Sequence, residues 1–192
     1  MYNPPRLLED GLNVCILGPS DSGKTFLAKS LGVAACEKYR VNYCHCSELL
    51  ERLVAAKSAD YTKYLREIKK ILGFQLLILD DFLLNTIMDE REVKVLMEIL
   101  EKRIEASKST IVCSQREPGS WKAMIMNDEV SANAIMKRAT KHYIVVIQLS
   151  KYLNEGGRWA PPGGRWQTHQ WPPCGANCNK HVVSTFNSDM SM

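Results

Sequence analysis

Eight consecutive residues, Gly18, Pro19, Ser20, Asp21, Ser22, Gly23, Lys24 and Thr25, fit the pattern G-x-x-x-x-G-K-[ST]. Glycines let a backbone fold tightly enough for successive N–H groups to face phosphate oxygens. An apolar strand precedes the loop and a helix follows it, so the positive helix end faces the same anion. Lys24 is then placed to reach the β- and γ-phosphates of ATP, and the Thr25 hydroxyl to ligate magnesium. A second element, Leu76-Leu77-Ile78-Leu79-Asp80-Asp81, is an apolar run ending in two acids. A buried parallel strand ends in paired carboxylates where something cationic or protic sits, and ligands of open α/β sheets bind at that end. Asp80 is expected to hold magnesium, directly or through water, and Asp81 to orient or deprotonate an attacking water. The bland reading of Asp81 is a cap on the following turn.

Two further residues enter on position. Gln115 follows the apolar run 110–114, and at the end of a strand beside the phosphate loop its amide would hold the nucleophilic water. Arg138 stands near the end of a helical segment, where the helix dipole alone accounts for a positive charge.

These residues need a frame, and the chain supplies one. From 13 to 148, short apolar β-branched runs alternate with longer segments of helical period, the pattern of a parallel sheet wrapped by helices. Strands are expected at 13–17, 41–45, 76–80, 110–114 and 143–148, and helices at 24–38, 47–56, 61–72, 89–106 and 129–140. In the fourth helix Val93, Leu96, Met97, Leu100 and Ile104 recur at spacings that line one face. Glu92, Lys94, Glu98, Glu101, Lys102 and Glu105 fall on the other, read as a solvated surface.

Composition restricts the rest. The 192 residues carry a net charge of +4, with 45% hydrophobic and 24% charged residues, which suits one globular α/β domain. That charge permits contact with nucleic acid without being a strongly basic stripe. No stretch approaches the roughly 18–20 apolar residues of a membrane span and no secretory layout opens the chain, so a cytoplasmic protein is expected. The seven cysteines are expected to be reduced thiols.

Past Leu149 the chain becomes rich in Gly and Pro, with a repeated Gly-Gly-Arg-Trp, and reads as a tail without fixed structure. His169, Cys174, Cys178 and His181 could supply two nitrogens and two sulfurs to zinc, although their spacing matches no common finger. Trp159, Trp166 and Trp171 among arginines could stack on single-stranded bases.

The runs NVCILGPSDSGKTFLAKSLGVAAC, VNYCHCSELLERL, LLILDDF and STIVCSQ, with Trp121 shortly after, resemble the IstB-like transposition helper ATPases and the related DnaC-like helicase loaders. The likeness spans roughly Gly11 to Leu149. It implies an AAA+ P-loop NTPase with a five-stranded parallel sheet in which the strand 76–80 does not neighbour the next strand in sequence. It also implies a homo-oligomer whose site is completed between subunits, with Arg138, in AIMKRATKHYIVVI, reaching the phosphate held by a neighbouring copy. Gln115 stands where this family usually has asparagine, Lys151-Tyr152-Leu153 does not match the family's segment after the last strand, and the family's N-terminal region has no counterpart.

The expected organisation is an N-terminal remnant at 1–12, an AAA+ ATP-binding domain at 13–149 and a Gly/Pro-rich tail at 150–192. The expected function is an ATPase, with ATP and magnesium, that assembles on double-stranded DNA and recruits or activates a transposase. The alternatives are a replicative helicase loader, a nucleotide-dependent scaffold without turnover in a shortened copy, and a small-molecule P-loop kinase. The last lacks an arginine cluster between the central strands.

Overall fold

The computed structural model describes residues 4–125 and 128–147. Its elements, in chain order, are α1 (Pro4–Glu9), β1 (Val14–Leu17), α2 (Lys24–Ala35), β2 (Val41–His45), α3 (Cys46–Ala59), α4 (Tyr61–Gly73), β3 (Leu76–Asp80), α5 (Glu90–Glu105), β4 (Ser109–Ser114), a 3₁₀ segment (Pro118–Met124), α6 (Glu129–Ala139) and β5 (Tyr143–Val146). Each strand agrees with its expected position to within two residues at either end: β1, β3 and β4 are buried along their length, whereas β5 is exposed and is marked by its β-branched residues.

All pairings are parallel, in the order β2-β3-β4-β1-β5. This corrects one expectation. β3 lies beside β4, its successor, with Leu76 opposite Ser109 and Leu79 opposite Val112. It is β1 that is separated from its successor, being inserted between β4 and β5. The β1 carboxyl end, which leads into the phosphate loop, therefore has a strand on either side.

Alternation along the strands feeds two apolar layers. Cys15, Leu17, Leu77, Leu79 and Val112 point to the layer formed with α3, α4, α5 and α6. Val14, Ile16, Leu76, Ile78, Ile111 and Cys113 point to the layer containing residues of α1 and α2. Residues ahead of β1 belong to this second layer: Leu7 and Leu8 are buried, and the Leu7 carbonyl accepts a hydrogen bond from Ser109 Oγ at 2.9 Å.

Helix α5 is rotated slightly from its expected phase. Val93, Val95, Leu96, Ile99, Leu100 and Arg103 are buried, whereas Met97 and Ile104 are half-buried. Among the described residues, fully buried Arg103 has no acidic partner. It donates to Thr110 Oγ1 (3.0 Å) and to the carbonyls of Ile71 (3.2 Å), Phe74 (2.9 Å), Gln75 (3.2 Å) and Ser109. One planar guanidinium thus ties the end of α4, the approach to β3 and the start of β4. Burial lowers its pKa to about 9.

Cys15, Cys44, Cys46 and Cys113 are free thiols. Burial pushes the first three up to about 12, so they behave as small core hydrophobes. No helix among the described residues is long and apolar enough to cross a membrane.

Candidate functional site

The loop between β1 and α2 has the shape that its residues predict. Gly23 caps α2 with φ +84°, a conformation costly for any residue with a Cβ. At Gly18 the limit is space, since a Cβ there would sit 2.6 Å from Ser22 Oγ and 2.7 Å from the Ile147 carbonyl oxygen. Ile147, just past β5, donates its N–H to the Leu17 carbonyl at 2.7 Å, so the last strand pins the loop at its root. Lys24 Nζ donates to the Pro19 carbonyl at 2.6 Å, across the loop. Among the described residues Ser22 Oγ is buried and lacks a hydrogen-bond partner, an orphaned polar atom within the phosphate loop.

A cavity of about 550 Å³ opens on this loop. Ser20, Asp21, Gly23, Lys24, Thr25 and Phe26 line it from one side, and Asp81, Leu84 and Gln115 from the ends of the neighbouring strands. Lys29 of α2 adds a second cation to the wall. Seven expected site residues, Ser20, Asp21, Gly23, Lys24, Thr25, Asp81 and Gln115, thus share one cavity at the carboxyl ends of β1, β3 and β4. Close-approach glycines, two lysines and an unpaired buried hydroxyl suit the phosphates of a nucleotide.

Asp80 and Asp81 are adjacent and differently housed. Asp80 is 2% exposed and does not line the cavity. Its Oδ2 accepts from Tyr43 O–H at 2.7 Å and its Oδ1 from the Asp81 N–H at 3.0 Å. Asp81 is half-exposed and sits in the left-handed region, with φ +50°, followed by Leu83 at φ +52°. Such backbone is strained for residues with side chains and persists where its surroundings enforce it. Phe82 enforces it here: it is fully buried, donates its N–H to the Cys113 carbonyl at 2.8 Å and packs edge-on against Trp121 at 5.0 Å. The same Trp121 donates its indole N–H to the Arg116 carbonyl at 3.2 Å, so one ring braces the loops carrying Asp81 and Gln115.

β2 contributes two site residues that reading the sequence alone missed. Tyr43 holds Asp80, and His45 Nδ1 lies 3.0 Å from Asp81 Oδ2. They are two apart on β2, opposite Ile78 and Asp80 in the register with β3. Their i, i+2 spacing was visible in VNYCHC, but the pairing of β2 with β3 was not.

Arg138 is not brought to this cavity. It lies at the end of α6, where its carbonyl accepts from Asn13 Nδ2 at 3.1 Å, just before β1 and so at the opposite end of that strand from the loop. Its guanidinium pairs with Glu101 at 2.8 Å and with the Ala134 carbonyl at 3.1 Å. Among the described residues no group of three or more His, Cys, Asp or Glu side chains is gathered to hold a metal ion. His169, Cys174, Cys178 and His181 lie outside the described residues, as do Trp159, Trp166 and Trp171.

Comparison with known proteins agrees with this geometry. Residues 6–152 match the family described as IstB-like ATP binding protein. The chain is 34% identical over 142 residues to the putative ATP-binding protein of insertion sequence IS232 from Bacillus thuringiensis subsp. berliner, covering 73% of this chain and 55% of that protein. It is 32% identical over 136 residues to the IS21 putative ATP-binding protein of Pseudomonas aeruginosa, covering 70% and 49%. The chain therefore spans about half the length of these relatives. Among solved structures, a DnaC helicase loader superposes with a TM-score of 0.57 at 26% identity, covering 76% of this chain and 81% of that one. AMPPCP-bound DnaA from Aquifex aeolicus superposes with a TM-score of 0.63 at 21% identity, covering 77% and 44%, a likeness of fold. The architecture is that of an AAA+ P-loop domain.

Proposed function

The chain belongs to the IstB-like ATP-binding protein family, and from that premise we propose that it is an ATPase whose nucleotide-dependent assembly on double-stranded DNA serves a transposase. The observation that carries the reading is the convergence of Lys24, Thr25, Asp81 and Gln115 on one cavity beneath the phosphate loop. In this scheme Gly18, Pro19, Ser20, Asp21, Ser22 and Gly23 cradle the phosphates with backbone N–H groups while Lys24 neutralises the β- and γ-phosphates. Thr25 and Asp80 would hold magnesium, Asp80 directly or through water with the lone pairs left beside the Tyr43 and Asp81 hydrogen bonds. Magnesium, when bound, supplies positive charge to the β- and γ-oxygens. Asp81 takes the proton of the attacking water, and Gln115 orients that water with its amide.

Arg138 acts on the site of a neighbouring copy. Its place at the far end of β1 supports this, since it does not share a cavity with its own Lys24. A guanidinium supplied in trans neutralises developing charge and makes turnover depend on assembly. For DNA, helix α4 offers an exposed face bearing Lys63, Arg66, Lys69 and Lys70, with Glu67 half-buried. Cations spaced three and four apart along one helix face suit a phosphate backbone. The relatives' names, which tie them to insertion sequences, favour a transposase as partner.

The likeness to a DnaC helicase loader supports a second reading, delivery of a replicative helicase. Two measurements separate the possibilities. Phosphate release is expected from the wild-type chain, stimulated by double-stranded DNA, and lost in Lys24→Ala and Asp81→Asn; an Asp81→Asn chain as active as wild type removes Asp81 as the base. ATP-dependent capture of the transposase from the same insertion sequence is expected, and capture of a replicative helicase alone overturns the transposition reading.

A further inference from the structure

We propose that Tyr43 is a positioning residue for magnesium, acting through Asp80, an inference that rests on reading the cavity as an ATP–magnesium site. Asp80 is buried, and among the described residues two donors reach it: the Asp81 N–H on Oδ1 and the Tyr43 hydroxyl on Oδ2. The first comes from the next residue in the chain. The second crosses from the adjacent strand and fixes the rotation of the carboxylate, and with it the direction in which the remaining lone pairs face.

Tyr43 is itself held on several sides. Its ring is 4% exposed and belongs to the apolar layer with Ala28, Ile78 and Cys113. Lys29 Nζ stands 5.0 Å from the ring centroid, and Lys29 also lines the cavity beside Lys24 and Thr25. His45 meets the ring edge-on at 5.7 Å. A phenol clamped between the phosphate-loop helix and the neighbouring strand has little freedom to turn its oxygen away. Phenylalanine would fill the same space and leave Asp80 Oδ2 buried without this donor. The arrangement gives each acid its own β2 partner: Tyr43 sets the metal-side carboxylate and His45 the water-side one.

The test is Tyr43→Phe, which keeps the ring and removes one oxygen. Binding of a fluorescent N-methylanthraniloyl ATP is measured in EDTA and then across a magnesium titration, together with the metal-free melting temperature. The expected result is metal-free nucleotide affinity within two-fold of wild type and a half-saturating magnesium concentration raised about ten-fold, the scale on which partners of metal-holding groups act. An unchanged magnesium midpoint overturns the proposal, whatever happens to the melting temperature, and assigns the hydroxyl to stability alone. In an Asp80→Asn background, Tyr43→Phe should move the midpoint no further, and additive shifts would overturn the coupling. If Tyr43→Phe does not fold, 3-fluorotyrosine at position 43 of the otherwise wild-type chain takes its place. Its fluorine resonance should shift when magnesium is added to the nucleotide-bound protein, and a resonance that stays put overturns the proposal. Loss of metal-dependent nucleotide binding in the wild-type chain would instead bring down the underlying reading of the site, with Tyr43 along with it.

Discussion

His45 Nδ1 lies 3.0 Å from Asp81 Oδ2, joining the carboxyl ends of adjacent strands β2 and β3 beside the phosphate cavity. The pair is partly open to solvent, at 38% and 49% side-chain exposure, so it contributes little to stability. Its effect is geometric. Asp81 itself has a left-handed backbone, just past the end of β3, and His45 holds one of its oxygens while the residue lines the cavity shared with Gln115.

His45→Ala should therefore lower the rate of ATP hydrolysis on the order of 10- to 100-fold while leaving nucleotide affinity unchanged, as expected for a displaced base. Steady-state hydrolysis and equilibrium binding, measured side by side, check this split. An equal loss in both would mean that His45 supports the cavity and not the base.

Arg138 permits a complementation experiment. Lys24→Ala chains and Arg138→Ala chains should each be inactive, by about 10³-fold for the arginine, yet recover part of the activity when mixed. Mixing works because the Lys24→Ala copy supplies its Arg138 to the intact phosphate cavity of the Arg138→Ala copy. Absence of recovery at concentrations where the wild type assembles would remove the trans role, and the Glu101 pair would then be the whole purpose of Arg138.

The cations of α4 predict a salt signature. Lys63→Glu combined with Arg66→Glu should weaken binding to double-stranded DNA of any sequence and reduce the slope of log affinity against log salt by about two, one for each phosphate contact removed. ATP binding in the absence of DNA should be unaffected. A slope equal to that of wild type would place the DNA surface elsewhere.

Arg103 tests the core. Arg103→Met matches much of the volume but strands the carbonyls of Ile71, Phe74, Gln75 and Ser109, and should cost about 3 kcal/mol or more of unfolding free energy. Arg103→Lys, with fewer donors and no fork, should fall between. Chemical denaturation of the nucleotide-free chain measures both.

The phosphate loop, the paired acids and all five strands were legible because each is written locally: a glycine pattern, an apolar run, a terminal acid. What escaped was written across strands. Tyr43 and His45 look like ordinary polar members of an edge run until β2 is known to lie beside β3. Reading α5 from its apolar residues alone passed over Arg103, and only the ring of carbonyls around it explains its burial. The order of the sheet was misjudged at β3 for a related reason, since no short segment records that β1 is inserted between β4 and β5. Helix α1 is six residues long, too short for periodicity to reveal.

The contact between Gly18 and Ile147 joins nearly the two ends of the described chain. During synthesis the phosphate loop leaves the ribosome well before β4 and β5, the two strands that flank β1. A nascent chain therefore displays the nucleotide signature long before it can hold a nucleotide. Arrival of β5 is the event that turns the loop from a sequence into a site, and a chain released before β5 would lack the segment that pins the root of its phosphate loop.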